Sequence, residues 1–120
     1  MNQAQMIKGI LEGCVLQLLD GPFRYSQEIV DLLREGGFPQ MSGGTLFPLL
    51  LRLEKSGYFQ TKMVPSSVGP SRKYYCLNRY GREELAQFRA QWSALKQIVD
   101  GILEGGGVDE KKRAEAEQDV

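Results

Sequence analysis

A mainly α-helical chain with one small β-hairpin is the fold class that three features of this 120-residue sequence predict. The first is Ser42 to Gly57, where Leu46, Leu49, Leu50 and Leu53 recur at i, i+3, i+4, i+7, the apolar stripe of a core-facing helix. The second is the strand-like run Tyr58 to Val64, followed after a loop by Arg72-Lys73-Tyr74-Tyr75-Cys76-Leu77. The third is a seam of Leu85, Phe88, Trp92, Leu95, Val99 and Ile102 with alternating spacings of three and four, the heptad pattern of a helix that packs along its length. A helix running straight into a basic two-stranded hairpin is the layout of a winged helix-turn-helix. Such modules set one helix in the DNA major groove and lay the hairpin on the backbone beside it.

The elements follow in order. Residues ~5–19 read as helix one, with Met6, Ile10, Cys14 and Leu18 on one stripe, Ile7, Leu11 and Val15 widening it and Leu19 extending it. Asp20-Gly21-Pro22 ends it. Helix two runs from Ser26, a candidate cap, to Glu35, with Ile29, Leu32 and Leu33 toward the core. Phe38 and Met41 are apolar loop residues expected beneath helix three. Helix three has two readings. With Ser42 as cap, Pro48 falls in its interior and removes a hydrogen bond; with a start near Thr45, Pro48 sits in the first turn at little cost. Pro65 to Pro70 is the expected hairpin tip. Asn78 is the expected cap of helix four, whose seam is longer than a small winged-helix body can cover, and Gly105-Gly106-Gly107 ends it. The division expected is 1–78 for the winged helix, 79–104 for a C-terminal dimerisation helix and 105–120 for a disordered tail.

Net charge is zero, yet its distribution is uneven. Residues 1–82 carry ten basic and six acidic side chains, a net +4, and the rest carry five and nine, a net −4. A basic body with an acidic C-terminal third suits a DNA-binding module with a separate assembly element. There is no histidine, no metal-ligand spacing and no glycine-rich phosphate loop, so neither an enzyme nor a metal or cofactor is expected. Cys14 and Cys76 read as free buried thiols. With no membrane-length apolar run and no signal-peptide pattern, a cytoplasmic protein is expected.

Four motifs together resemble the PadR family of transcriptional regulators. They are Lys8-Gly9 with Leu11 and Val15 to Leu19, and Tyr25 with Glu28-Ile29. They continue with Ser42-Gly43-Gly44-Thr45-Leu46-Phe47-Pro48 followed by Leu53-Glu54-Lys55-Ser56-Gly57, and with Arg72-Lys73-Tyr74-Tyr75 and Leu77 followed by Gly81-Arg82-Glu83 and Leu85. The similarity spans about Ile7 to Leu103, and the short last helix resembles the compact branch of the family. Three positions depart from the family pattern. Ser26-Gln27 stand for Gly-Tyr, Phe47 for a tyrosine, and Leu51 for a residue that is commonly basic. The resemblance implies a homodimer that binds double-stranded DNA at an inverted repeat, most often as a repressor, and the departures imply a different or weaker sequence preference. The alternative is a winged helix that binds protein without specific DNA binding.

Candidate DNA contacts are Tyr25, Ser42, Thr45, Phe47, Arg52, Lys55, Arg72, Lys73 and Tyr75. Arg72 and Lys73 suit phosphates or are a solvated strand end. The Ser42 and Thr45 hydroxyls suit a phosphate at a helix N-terminus or simple capping. Arg52 reaches a base edge, a phosphate, or only water. Tyr74 and Tyr75 alternate across the hairpin, one inward and one outward. Phe88, Trp92, Leu95, Val99 and Ile102 are the dimerisation candidates. The multidrug-sensing branch stacks flat aromatic ligands on a tryptophan of this helix. Trp92 is therefore either a site for a small planar aromatic effector or an aromatic knob in a closed dimer core.

Overall fold

The computed structural model describes residues 6, 7 and 9–105. Its elements are α1 (Leu11–Leu18), β1 (Arg24–Tyr25), α2 (Ser26–Glu35), α3 (Gly43–Lys55), β2 (Phe59–Ser66), β3 (Gly69–Leu77) and α4 (Arg79–Leu103). The chain forms two compact units, Met1–Ala86 and Gln87–Val120. The division falls inside α4, eight residues beyond the expected boundary at 78/79, because Leu85 is buried in the core of the first unit. The tail expected to be disordered lies outside the described residues from Gly106 onward.

In the first unit α1, α2 and α3 pack around one apolar cluster. It is built from Leu11, Val15, Leu16 and Leu19, from Ile29, Val30 and Leu33, and from Leu46, Leu49, Leu50 and Leu53, closed by Met41, Tyr75, Leu77 and Leu85. Phe38 packs against it, and Met41 lies in it, as the sequence suggests. Two details differ. The buried side of α1 runs through Leu11, Val15 and Leu16 to Leu19 at its cap, the widening residues and not the expected central stripe, while Met6 is exposed and Cys14 and Leu18 are half-buried. On α2, Val30 takes the buried place expected of Leu32. The first helix is also not continuous from residue ~5, since Gly9 and Ile10 form a turn before Leu11.

Ser26 is the first residue of α2, not its cap. The cap is Tyr25, whose extended backbone belongs to β1 and whose N–H donates to Glu28 Oε1 at 3.2 Å. Ser42 is the cap of α3, and its Oγ accepts from the Thr45 N–H at 3.4 Å. Of the two readings of Pro48 the interior one holds. Pro48 has no N–H to give the Gly44 carbonyl, so the first turns of α3 are held by one bond fewer. Gly57 (φ +84°) ends α3 in a conformation that disfavours a side chain and turns the chain into β2.

The sheet is antiparallel in the order β1-β3-β2. Tyr74 faces Tyr25 on one side and Lys62 on the other, so these three share a row on one face. The hairpin is longer than expected. Pro65 and Pro70 lie in the strands, and the connection is Ser67-Val68. The register shifts between Val64 and Ser66, where Pro65 has no ladder donor to offer.

One polar junction ties the hairpin to α4. The Asn78 side chain donates to the Gly57 carbonyl at 2.8 Å and accepts from the Gly81 N–H at 2.9 Å, so it caps α4 and clamps the α3–β2 turn. The Asn78 N–H donates to the Tyr58 carbonyl at 3.0 Å. That carbonyl lies where a side chain at Gly81 would have to sit, 2.3 Å from an ideal Cβ.

In the second unit α4 runs on to Leu103 and ends at Gly105 (φ +75°). Lys96 and Asp100 pair one turn apart at 2.9 Å on its polar side.

Two stability outcomes follow from these contacts. Gly81→Ala improves helix propensity, yet it must displace the Tyr58 carbonyl. Chemical denaturation will show a net loss of about 1–3 kcal/mol, the usual scale of overpacking. Leu50→Ala, at a position 1% exposed, will cost about 2–5 kcal/mol in the same measurement.

Candidate nucleic-acid interface

Helix α3 has two unlike faces. Leu46, Leu49, Leu50 and Leu53 are no more than 6% exposed, which fixes the helix about its axis. The opposite face then presents Gly44, Phe47, Pro48, Leu51, Arg52 and Lys55 to solvent. Phe47 is 62% exposed and Leu51 is 41% exposed. Large apolar side chains in the open need a reason, and a partner surface supplies one.

Two of the cations around this face, Arg52 and Lys73, are tethered. Arg52 donates through both Nε and Nη2 to Glu12 Oε1 on α1. Lys73 Nζ pairs with Glu54 at 2.7 Å, joining β3 to the last turn of α3. The hydrogen bond that Lys73 donates to Glu54 pushes its pKa up, so the ammonium stays charged. Arg72 instead lies over the Tyr25 ring, 4.6 Å from its centroid, and Tyr25 meets Tyr74 at 5.4 Å. Lys62 sits 4.3 Å over the Phe23 ring. The Tyr25 and Phe23 rings each hold a cation of the hairpin in place.

The expected contact residues divide into groups. Thr45, Phe47, Arg52 and Lys55 are exposed on α3, and Arg72 and Lys73 are exposed on β3. Tyr25 is half-buried beneath Arg72. Ser42 is occupied as a cap, with Thr45 Oγ1 at 3.3 Å from its hydroxyl. Tyr75 is a correction: it is 8% exposed and packs edge-on against Phe59 at 5.5 Å, so it is the inward member of the tyrosine pair. Tyr74 is the outward one. Sequence reasoning did not single out Phe23, Lys62, Glu12 or Glu54. Lys62 meets the Phe23 ring across 39 residues of chain, and the acids pair with Arg52 and Lys73 across 40 and 19.

Along α4, Phe88 is half-buried, while Trp92, Leu95, Val99 and Ile102 are exposed in the single chain, with Ile98 and Leu103 beside them. Cys14 is half-buried and Cys76 buried; both are free thiols, and burial pushes the Cys14 pKa up. Among the described residues no group of side chains is arranged to hold a metal ion, and no helix is long and apolar enough to cross a membrane.

Comparison with known proteins identifies this geometry. Residues 15–87 match the model of the Transcriptional regulator PadR-like family. An uncharacterised protein of Lysinibacillus sphaericus is 30% identical over 107 residues, covering 88% of this chain and 98% of its own. A Streptococcus transcriptional regulator of known structure is 46% identical with a TM-score of 0.73, over 82% of this chain and 96% of that one. A PadR-like transcriptional regulator from Bacillus cereus is 37% identical with a TM-score of 0.74, over the same shares of the two chains. A PadR family regulator from Eggerthella lenta is 31% identical with a TM-score of 0.76, over 83% and 87%. The family match runs from the middle of α1 through α2, α3 and the hairpin to the start of α4, and on it the chain belongs to the PadR-like family of transcriptional regulators.

Proposed function

We propose that this regulator binds an inverted-repeat operator as a homodimer and represses transcription there. The family carries DNA-binding regulation. The observation that carries it is the two-faced α3, buried on its leucine stripe and open on the side that bears Phe47, Leu51, Arg52 and Lys55. The hairpin flanks that helix in sequence and is tied to it by Lys73 and Glu54.

The dimer reading rests on α4. A helix that leaves Trp92, Leu95, Val99 and Ile102 exposed in one chain has a seam for a second copy. Two chains joined by a two-fold axis present two copies of α3, and a two-fold protein calls for a two-fold site, with half-sites about one turn (~10 bp) apart. Trp92 in that seam is the place where a planar aromatic effector would stack.

The tethered cations fit this reading. A surface ion pair is worth about 0–1 kcal/mol, so a phosphate competes for Arg52 or Lys73 at small cost. Until then Glu12 and Glu54 keep both side chains pointed and partly neutralised.

Three measurements test the proposal. Light scattering at micromolar concentration will give a dimer for the native chain and a monomer for Leu95→Glu/Val99→Glu, which puts two charges into each copy of the seam; a monomeric native chain defeats the dimer. In salt-titrated gel shifts on the chain's own promoter region, Arg72→Ala and Lys73→Ala will each weaken binding to every sequence and flatten the log–log salt slope by about one. If the dimer takes a planar aromatic effector, such compounds at micromolar concentration will quench Trp92 fluorescence and Trp92→Ala will lose the binding while remaining dimeric; an unquenched Trp92 across a diverse panel makes it an aromatic knob in a closed dimer core.

A further inference from the structure

We propose that α3 reads its half-site through thymine methyl groups, with Phe47 and Leu51 as the specificity-determining residues. The proposal rests on the DNA-binding reading above and names what that site recognises. Between Thr45 and Arg52 the exposed residues of α3 are Phe47, Pro48 and Leu51, and none carries a polar side-chain atom. The middle of the presented face therefore offers a base edge no hydrogen bond. The nearest guanidinium, Arg52, is held by Glu12.

Most of what a base pair shows in the major groove is a donor or an acceptor, and the thymine C5-methyl is its apolar feature. An apolar side chain set against a donor or acceptor strips it of water and gives nothing back. Set against a methyl, it gains by burial. Phe47 is 62% exposed and Leu51 41%, so both have surface to cover. Four residues of helix separate them by about 6 Å, close to two base-pair steps of ~3.4 Å. The face is matched to two thymines one or two steps apart.

The test uses the full native chain and a duplex spanning its own promoter, compared with the same duplex carrying deoxyuridine for thymidine. That exchange removes the methyl and keeps each hydrogen-bonding group. Affinity will fall about three- to fivefold for each contacted methyl lost. The fall will shrink toward none in Phe47→Ala/Leu51→Ala, whose altered residues are exposed and whose fold is checked by circular dichroism. Equal affinity of the native chain for both duplexes overturns the proposal. So does a penalty that persists undiminished in the double variant, since it would then come from DNA shape and not from these side chains. Failure to bind the thymine duplex saturably at all overturns the DNA-binding reading itself, and this proposal with it.

Discussion

The rotation of α3 about its own axis is the constraint on which the rest depends. Four leucines, Leu46, Leu49, Leu50 and Leu53, are almost wholly buried on one side of it. Each is worth about 1.5–3 kcal/mol in burial, so turning the helix to hide Phe47 and Leu51 instead would expose several times that amount of apolar surface. The outward face is thus chosen by the core. Its composition is then free to vary, and here it is apolar in the middle with cations toward the C-terminal end. The core decides where the face points; the exposed residues decide what it meets.

The hairpin is anchored in the core through Tyr75 and Leu77, and polar contacts fix its ends. Asn78 bonds to Gly57 and Gly81, the Leu77 N–H donates to the Leu19 carbonyl at 2.9 Å, and Arg24 donates to the Leu18 carbonyl at 2.8 Å. Each joins the sheet or its ends to a helix terminus, at spare carbonyls of Gly57, Leu19 and Leu18 and at the spare Gly81 N–H. Gly81 lets the first turn of α4 come against the Tyr58 carbonyl. Charge is organised on the same local scale. A chain with no net charge still gathers Arg72, Lys62 and Lys73 on its hairpin, and Glu12 and Glu54 hold Arg52 and Lys73.

The helices were legible because their apolar residues recur with the right period. The stripe of α3 and the Asn78 cap stand in the structure as the sequence implies. The misses lie where period carries no signal. Strand β1 is two residues long, too short to alternate, and it exists because β3 has an open edge for it. Its backbone makes Tyr25 the cap of α2, which is why Ser26 was not. Pro65 and Pro70 look like turn residues, yet a two-stranded wing tolerates them on its outer ladder at the cost of a register shift. Which of Tyr74 and Tyr75 faces inward depends on register with Phe59 and Lys62, and composition does not contain that. The broad apolar surface of α1 allowed several stripes, and packing selected Leu11, Val15 and Leu19.

The central claim is that the exposed face of α3, with the hairpin beside it, is the surface that meets DNA. Amide chemical shifts followed by NMR during titration of the full chain with a duplex from its own promoter test it most directly. The account predicts that the largest changes fall on Thr45, Phe47, Leu51, Arg52 and Lys55 and on the hairpin around Lys62, Arg72 and Lys73, with the buried leucines of α3 little moved. Changes confined to α4, or none on α3 under saturating duplex, would contradict it.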